Sequence, residues 1–291
     1  MVRRRVSEVL EKGDVFFFYR PRVGVEHVTN LGQVQRFFMI LASAERGPRK
    51  FRMFVVGRKR LPEIIPGRAD PEERNWAMVA LATTDPNDVR EALSAKRYRT
   101  LTRGERILAA AKPVGEGRYW LLVHEDHTEL AYVLELPEKP GPAQETFGIK
   151  QEASYIVAVR NPELPATSGM PAPRHGPSYP HDLAERFEDK RWIAADDPAL
   201  LDFEHAQLLL LGSYQGKAAA EELGIRVKPK HETSKSAEVF TLLHLDRKEV
   251  PLEPLFKGKF PERELPRDLH PERLPTIEPP KPRTKRAASR R

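Results

Sequence analysis

Cysteine is absent from the 291 residues, which excludes disulfides, thiol nucleophiles and thiolate metal sites. No apolar run approaches the ~20 residues that a membrane-spanning helix needs, so no membrane partner is expected. At the N-terminus Arg3, Arg4 and Arg5 lead into VSEVLEKGD rather than into the apolar core of a secretory signal, and the chain reads as cytoplasmic. The phosphate-cradling GxxxxGK[ST] and GxGxxG patterns are missing, as are the GxSxG nucleophile elbow and SxxK. GEGR at 115–118 reads as a turn before a strand, with no helix after it to offer amide groups. No catalytic residue and no cofactor is therefore predicted.

Charge is present but unevenly placed. The net charge is +7, yet residues 281–291, KPRTKRAASRR, carry six basic residues and no acid. Setting these aside with Arg3, Arg4 and Arg5 leaves −2 for everything between. The body is near neutral, which argues against a nucleic-acid groove as its main surface. Lys281, Arg283, Lys285, Arg286, Arg290 and Arg291 are the candidates for weak, salt-sensitive contact with nucleic acid or another polyanion.

Eight apolar runs have strand length and composition: 15–20, 36–42, 51–57, 76–83, 119–124, 130–136, 154–159 and 206–213. Several are apolar at nearly every position, as in strands covered on both faces. Helices are expected over RVSEVLEKG near the start, 85–93, 102–111, 180–189 and 216–224. Asp85 then Pro86 is a good cap and first-turn pair. Residues 234–245 fit a helix or a strand. The runs fall into two series of strand, strand, strand, strand, helix. In each, the third strand ends on a basic residue, Arg58 or Arg160, before a Leu/Pro/Glu cluster. The predicted fold is α+β: two tandem similar units over 1–114 and 115–260, each a mainly antiparallel sheet with one or two helices. Residues 161–200 read as a surface excursion dense in Pro, Gly and Ser. Residues 261–291, rich in proline and charge, are predicted to form a disordered tail.

KGDVFFFYRP, QRFFMILA and VVGRKRLPE resemble bacterial proteins of no assigned function. The resemblance covers most of residues 10–260 and implies no activity, cofactor or partner.

GDVFFFYRP (13–21) poses a choice between a buried strand that stops at Pro21 and the base of a site whose Arg20 meets a ligand. The ligand or anion candidates are Tyr19, Arg20, Arg58, Arg60 and Arg160, together with Trp192, which is flanked by charge in a predicted loop. Arg20 is expected at the rim, and Arg58 and Arg60 on one side of a solvated strand end. HEDHTE (124–129) has metal-ligand residue types but lies between two strands and reads as a hairpin turn, so no metal site is predicted. Three functions follow. The first is a non-catalytic intracellular binding or scaffold protein with a protein partner. The second is a nucleic-acid-associated protein using its basic termini. The third is an enzyme with a site between the two units, lined by Tyr19, Arg20, Arg58 and Arg160.

Overall fold

A computed structural model describes residues 8–44, 47–65, 73–102, 104–124, 126–165, 169–170, 175–215, 236–247, 250–264 and 271–278. Its architecture corrects the α+β expectation: the described chain is 42% strand and 19% helix, and eight strands close into one antiparallel barrel.

The first four strands, β1 (Glu8–Pro21), β2 (Val34–Ser43), β3 (Phe51–Val56) and β4 (Arg74–Thr83), form one meander. Residues 96–108 then form a separate hairpin of β5 (Lys96–Thr100) and β6 (Gly104–Leu108), where a helix over 102–111 was expected. A second meander follows with β7 (Lys112–His124), β8 (His127–Leu136), β9 (Glu152–Arg160) and, after the short β10 (Trp192–Ala194), β11 (Gln207–Gln215). β1 pairs with β7 and β4 with β11. These two pairings are why two separate sheets do not form. Each meander alone would expose two unpaired edges, and joining first strand to first and last to last satisfies all four. The expected boundary at 114/115 falls inside β7, and the expected N-terminal helix is occupied by β1 from Glu8 onward.

Alternation along the strands sorts side chains between inside and outside. Val15, Phe17 and Tyr19 of β1 point inward with Phe37, Met39, Phe54, Tyr132 and Tyr155. Phe16 and Phe18 point outward with Phe38, Ile40, Phe51 and Met53. The outer apolar face is covered by α1 (Pro86–Leu93) through Val89 and Leu93, by α4 (Glu238–Thr241) through Val239 and Phe240, and by α5 (Glu253–Lys257) through Leu255. Asp85 caps α1, accepting from the Asn87 amide at 2.8 Å. Covering on both faces explains why the strands read as continuous apolar runs rather than as alternating ones.

Aromatic rings fill the interior: Phe17 stacks on Phe37 at 6.2 Å, Phe37 on Phe147 at 4.9 Å, and Tyr132 meets Phe17 edge-on at 5.2 Å. GEGR is strand interior, not a turn. A Cβ on Gly115 would come within 3.0 Å of the Phe17 side chain, and one on Gly117 within 2.1 Å of the Val133 carbonyl oxygen. Only glycine lets the strands approach this closely.

Each mouth of the barrel is plugged. One is closed by residues from the 161–206 connection, with Leu183, Phe187, Leu200 and Leu201 buried in the core and Tyr179 packed against them. That connection, including α3 (His181–Glu185), is therefore a lid rather than a surface excursion. The other mouth is closed by Val28, Leu61, α2 (Pro142–Phe147) and a strap, residues 260–264. The expected disordered tail begins with this strap, whose Glu264 is 2% exposed. Further along, Thr276 bridges to Arg97 of β5. The predicted helix at 216–224 and the basic residues of 281–291 lie outside the described residues.

Candidate functional sites

The predicted ligand residues do not converge. Tyr19 points into the barrel and is fully buried. Arg20, its neighbour on β1, points outward and is 5% exposed, so it is no rim residue. Its Nη2 donates to the Ala92 carbonyl at 2.7 Å, at the C-terminal turn of α1, where a cation is favoured. Its guanidinium lies over the Phe38 ring. Burial, then the nearby Arg36, lowers its pKa to about 10. FFFY is core, and Arg20 fastens α1 to the barrel wall.

Arg58 and Arg160 leave the barrel at opposite ends. Val56, Ala77, Leu208 and Val159 share one ladder row across β3, β4, β11 and β9. β3 and β9 run antiparallel, so the residues that follow diverge. Arg58 is exposed at the end of β3, in a turn where Arg58 and Lys59 both adopt positive φ, 47° and 59°. This backbone is unfavourable for residues other than glycine. Asn75 holds the turn by donating to the Gly57 and Arg60 carbonyls at 2.6 Å each, and Lys59 Nζ donates to the Val34 carbonyl at 2.5 Å. Arg60 pairs with Glu63 at 2.6 Å. Arg160 is buried, with Nη1 donating to Gln207 Oε1 at 2.9 Å and Nη2 to the Leu164 carbonyl. Burial, then Arg191, lowers its pKa.

Trp192 is in β10, not a loop, opposite Arg160. It lines a surface cleft of about 400 Å³ with Arg186, Lys190, Ile193, Ala194 and Asp196. The cations of this cleft are matched locally: Arg186 by Asp196 at 2.7 Å and Lys190 by Glu188 at 3.0 Å. Within HEDHTE, His124 ends β7 and His127 opens β8, and the two stand opposite each other. His127 Nε2 lies 3.0 Å from Glu129 Oε1, which also accepts from Ser213 Oγ at 3.0 Å. No group of metal-ligating side chains occurs among the described residues.

Two arrangements escaped sequence reasoning. The first lies in the mouth closed by the strap. Glu264, a residue of the supposed tail, has both oxygens 3.3 Å from the Tyr19 hydroxyl. Its Oε1 accepts from the Val28 amide at 3.2 Å, and its Oε2 lies 2.9 Å from Lys112 Nζ. The side chains of Lys112 and Glu264 are 3% and 0% exposed. Burial, then Glu264, pushes the Tyr19 hydroxyl pKa well up. Burial outweighs the opposing pull of Glu264 on Lys112 and leaves its ammonium below the usual range. The signal available in sequence was the lysine that opens β7.

The second is the β5–β6 hairpin. Residues 96–108 carry five basic residues against one acid. Lys96 meets Glu91 at 3.5 Å and Arg97 meets Glu105 at 3.1 Å. Arg99 and Arg106 have no carboxylate partner among the described residues. Leu101 at the tip is fully exposed. A Cβ on Gly24 would meet Arg106 Nη2 at 3.4 Å, which places the hairpin beside the loop carrying Arg22. Chain segment 275–277 lies along β5. The Arg97 amide donates to the Pro275 carbonyl at 2.9 Å, the Ile277 amide to the Arg97 carbonyl at 2.8 Å, and Arg97 Nε to Thr276 Oγ1 at 2.8 Å.

No helix among the described residues is long and apolar enough to cross a membrane. No protein-family model, curated protein or solved structure matches the chain.

Proposed function

We propose that this is a non-catalytic, cytoplasmic binding protein whose ligand is a polyanion, nucleic acid in the first place. The observation that supports this reading is the tethering of 275–277 along β5. It holds the chain against a basic hairpin at residues 275–277, four positions in sequence before the six-cation segment 281–291. Neither would be notable alone, since short basic runs are usually solvated surface. A polyanion engaging both would be held by phosphate contacts with little base readout. The barrel serves as a scaffold: its interior is filled by aromatic side chains, so a polyanion is met on the outside.

The test is fluorescence anisotropy of full-length protein with labelled duplex DNA and single-stranded RNA across a salt series. Each phosphate contact contributes about −0.9 to the log–log salt slope on duplex. Replacing the six basic residues of 281–291 by alanine in the full chain is expected to flatten the slope by up to about 5. Arg99→Glu with Arg106→Glu is expected to flatten it by about 2 and to weaken binding of all sequences alike. Binding that is unchanged in both variants, or absent even at low salt, would sink this reading.

A further inference from the structure

We infer that the mouth of the barrel around Tyr19 and Lys112 is a binding site for an apolar or aromatic carboxylic acid, and that the strap 260–264 occupies it in place of that ligand. The inference goes beyond the polyanion reading and does not depend on it.

The carboxylate of Glu264 is received as a ligand would be. Its partners come from three separate elements: Tyr19 from the end of β1, Lys112 from the start of β7, and the Val28 amide from the β1–β2 connection. Two oxygens meet a cation, a hydroxyl and an amide, which suits a planar carboxylate. The rest of the strap imitates an aromatic body attached to that acid. Phe260 packs edge-on against Tyr19 at 5.5 Å and Phe147 at 6.0 Å. An apolar pocket with a few convergent polar groups is the usual makeup of a small-molecule site.

The strap itself is lightly held. It follows the last barrel strand, so its departure breaks no ladder of the barrel. Apart from the Glu264 carboxylate, its polar anchors among the described residues include the Glu264 amide on the Glu26 carbonyl at 2.8 Å and His27 Nδ1 on the Pro261 carbonyl at 2.8 Å. By contrast, Lys112 and Tyr19 belong to the barrel wall and stay when the strap leaves. An uncompensated ammonium at this depth is costly, so the vacated site favours an incoming anion.

Thermal melts of the full chain test this, with phenylacetate, acetate and phosphate as probes. Glu264→Ala should melt below the parent and be raised saturably by phenylacetate, by about 5 °C or more near saturation. Acetate should do less, lacking the aromatic body, and phosphate least. Lys112→Met combined with Glu264→Ala should fold and ignore all three, since it has no buried charge to satisfy. In the parent protein, phenylacetate should speed hydrogen exchange at the Glu264 amide by releasing the strap. A folded Glu264→Ala that no carboxylate stabilises would overturn the site, and a stronger response to phosphate would overturn the ligand class. Stabilisation of the variant without faster exchange in the parent would overturn the strap as a displaceable occupant. If Glu264→Ala does not fold, folding restored by phenylacetate supports the site. Failure of both Glu264→Ala and the near-isosteric Glu264→Gln to fold in its presence would make Glu264 a fixed part of the fold and end the proposal.

Discussion

The two mouths of the barrel are each closed around a buried ion pair, and they are built differently. At one, Arg52 of β3 donates to Glu11 of β1 at 2.5 Å and to Asp202 at 2.6 Å, while Tyr119 of β7 donates to the same Glu11 oxygen. At the other, Lys112 of β7 faces Glu264 of the strap. In the first, both members of the closest pair stand on barrel strands. In the second, the acid comes from a segment that no barrel strand follows. The cations differ as well. Burial opposes the charge on Arg52, yet Glu11 and then Asp202 outweigh it and hold the guanidinium above its usual range. For Lys112 burial wins. An arginine deprived of its partner stays charged, whereas a lysine can shed its proton. The first mouth is thus held from within the barrel wall and the second by a segment outside it.

The largest expected effect is therefore at the arginine end. Glu11→Ala takes the more buried of its two carboxylates from a guanidinium that is 1% exposed, leaving Asp202 as the remaining acid, and should destabilise by about 3 kcal/mol in chemical denaturation. Arg52→Met with Glu11→Leu should recover most of that loss, because apolar replacement of a whole buried pair is often neutral. Equal damage from the double replacement would mean that the network specifies the closure rather than merely being neutralised within it.

Glu264→Ala should cost less, about 2–3 kcal/mol, and the cost should depend on pH. Lys112 has a folded pKa below its unfolded value, so in the window between the two the unfolded chain binds more protons, and stability rises with pH. Loss of Glu264 deepens that depression and widens the window downward. Glu264→Ala should therefore regain stability as pH rises towards the ordinary lysine range, and Glu11→Ala should not, a contrast that denaturation midpoints in increasingly alkaline buffers would read. Glu116 supplies a background of opposite sign in every variant. Burial, then the Glu238 carboxyl, raises its pKa to about 10. Its contribution is complete below about 4.5 and is lost as pH rises through about 10. Differences from the parent at each pH cancel it.

Away from the mouths, Arg20→Ala should cost about 1–3 kcal/mol by releasing the C-terminal turn of α1, rather than the small loss of a solvated residue. Smallest is Lys50→Ala. Lys50 meets Asp202 at 2.5 Å beside the buried arginine, but its side chain is 49% exposed, and its loss should stay under about 1 kcal/mol in the same denaturation series. A larger loss would show that the arginine network extends to the surface.

Much of the barrel could be read from sequence. VFFFYR, RFFMILA and SYIVAV are β-branched and aromatic runs bounded by turn residues, and each is a barrel strand. The helix expected at 102–111 failed because ERIL pairs with KRYR across a hairpin, a contact that local propensity does not encode. The candidate sites were less legible. Arg20 sits one residue before a proline, where an exposed arginine is the ordinary expectation, and only the packing of α1 shows it to be buried. Lys112 follows the apolar ILAAA and Glu264 lies in a segment rich in proline and charge, and neither position discloses the other across the chain.

The sequence by itself determined the number and order of the barrel strands, the near-neutral body and the basic terminus. These are properties of local composition and spacing, and two covered faces demand apolar residues whatever the partner strand. Tertiary structure decided that the two meanders close on each other, that the 161–206 connection becomes a lid, and that Tyr19 meets Glu264 across 245 residues. Strand edges accept any partner of suitable register, and a charged residue discloses its counter-ion only once both are withdrawn from water. Those choices were made by the closing of the barrel.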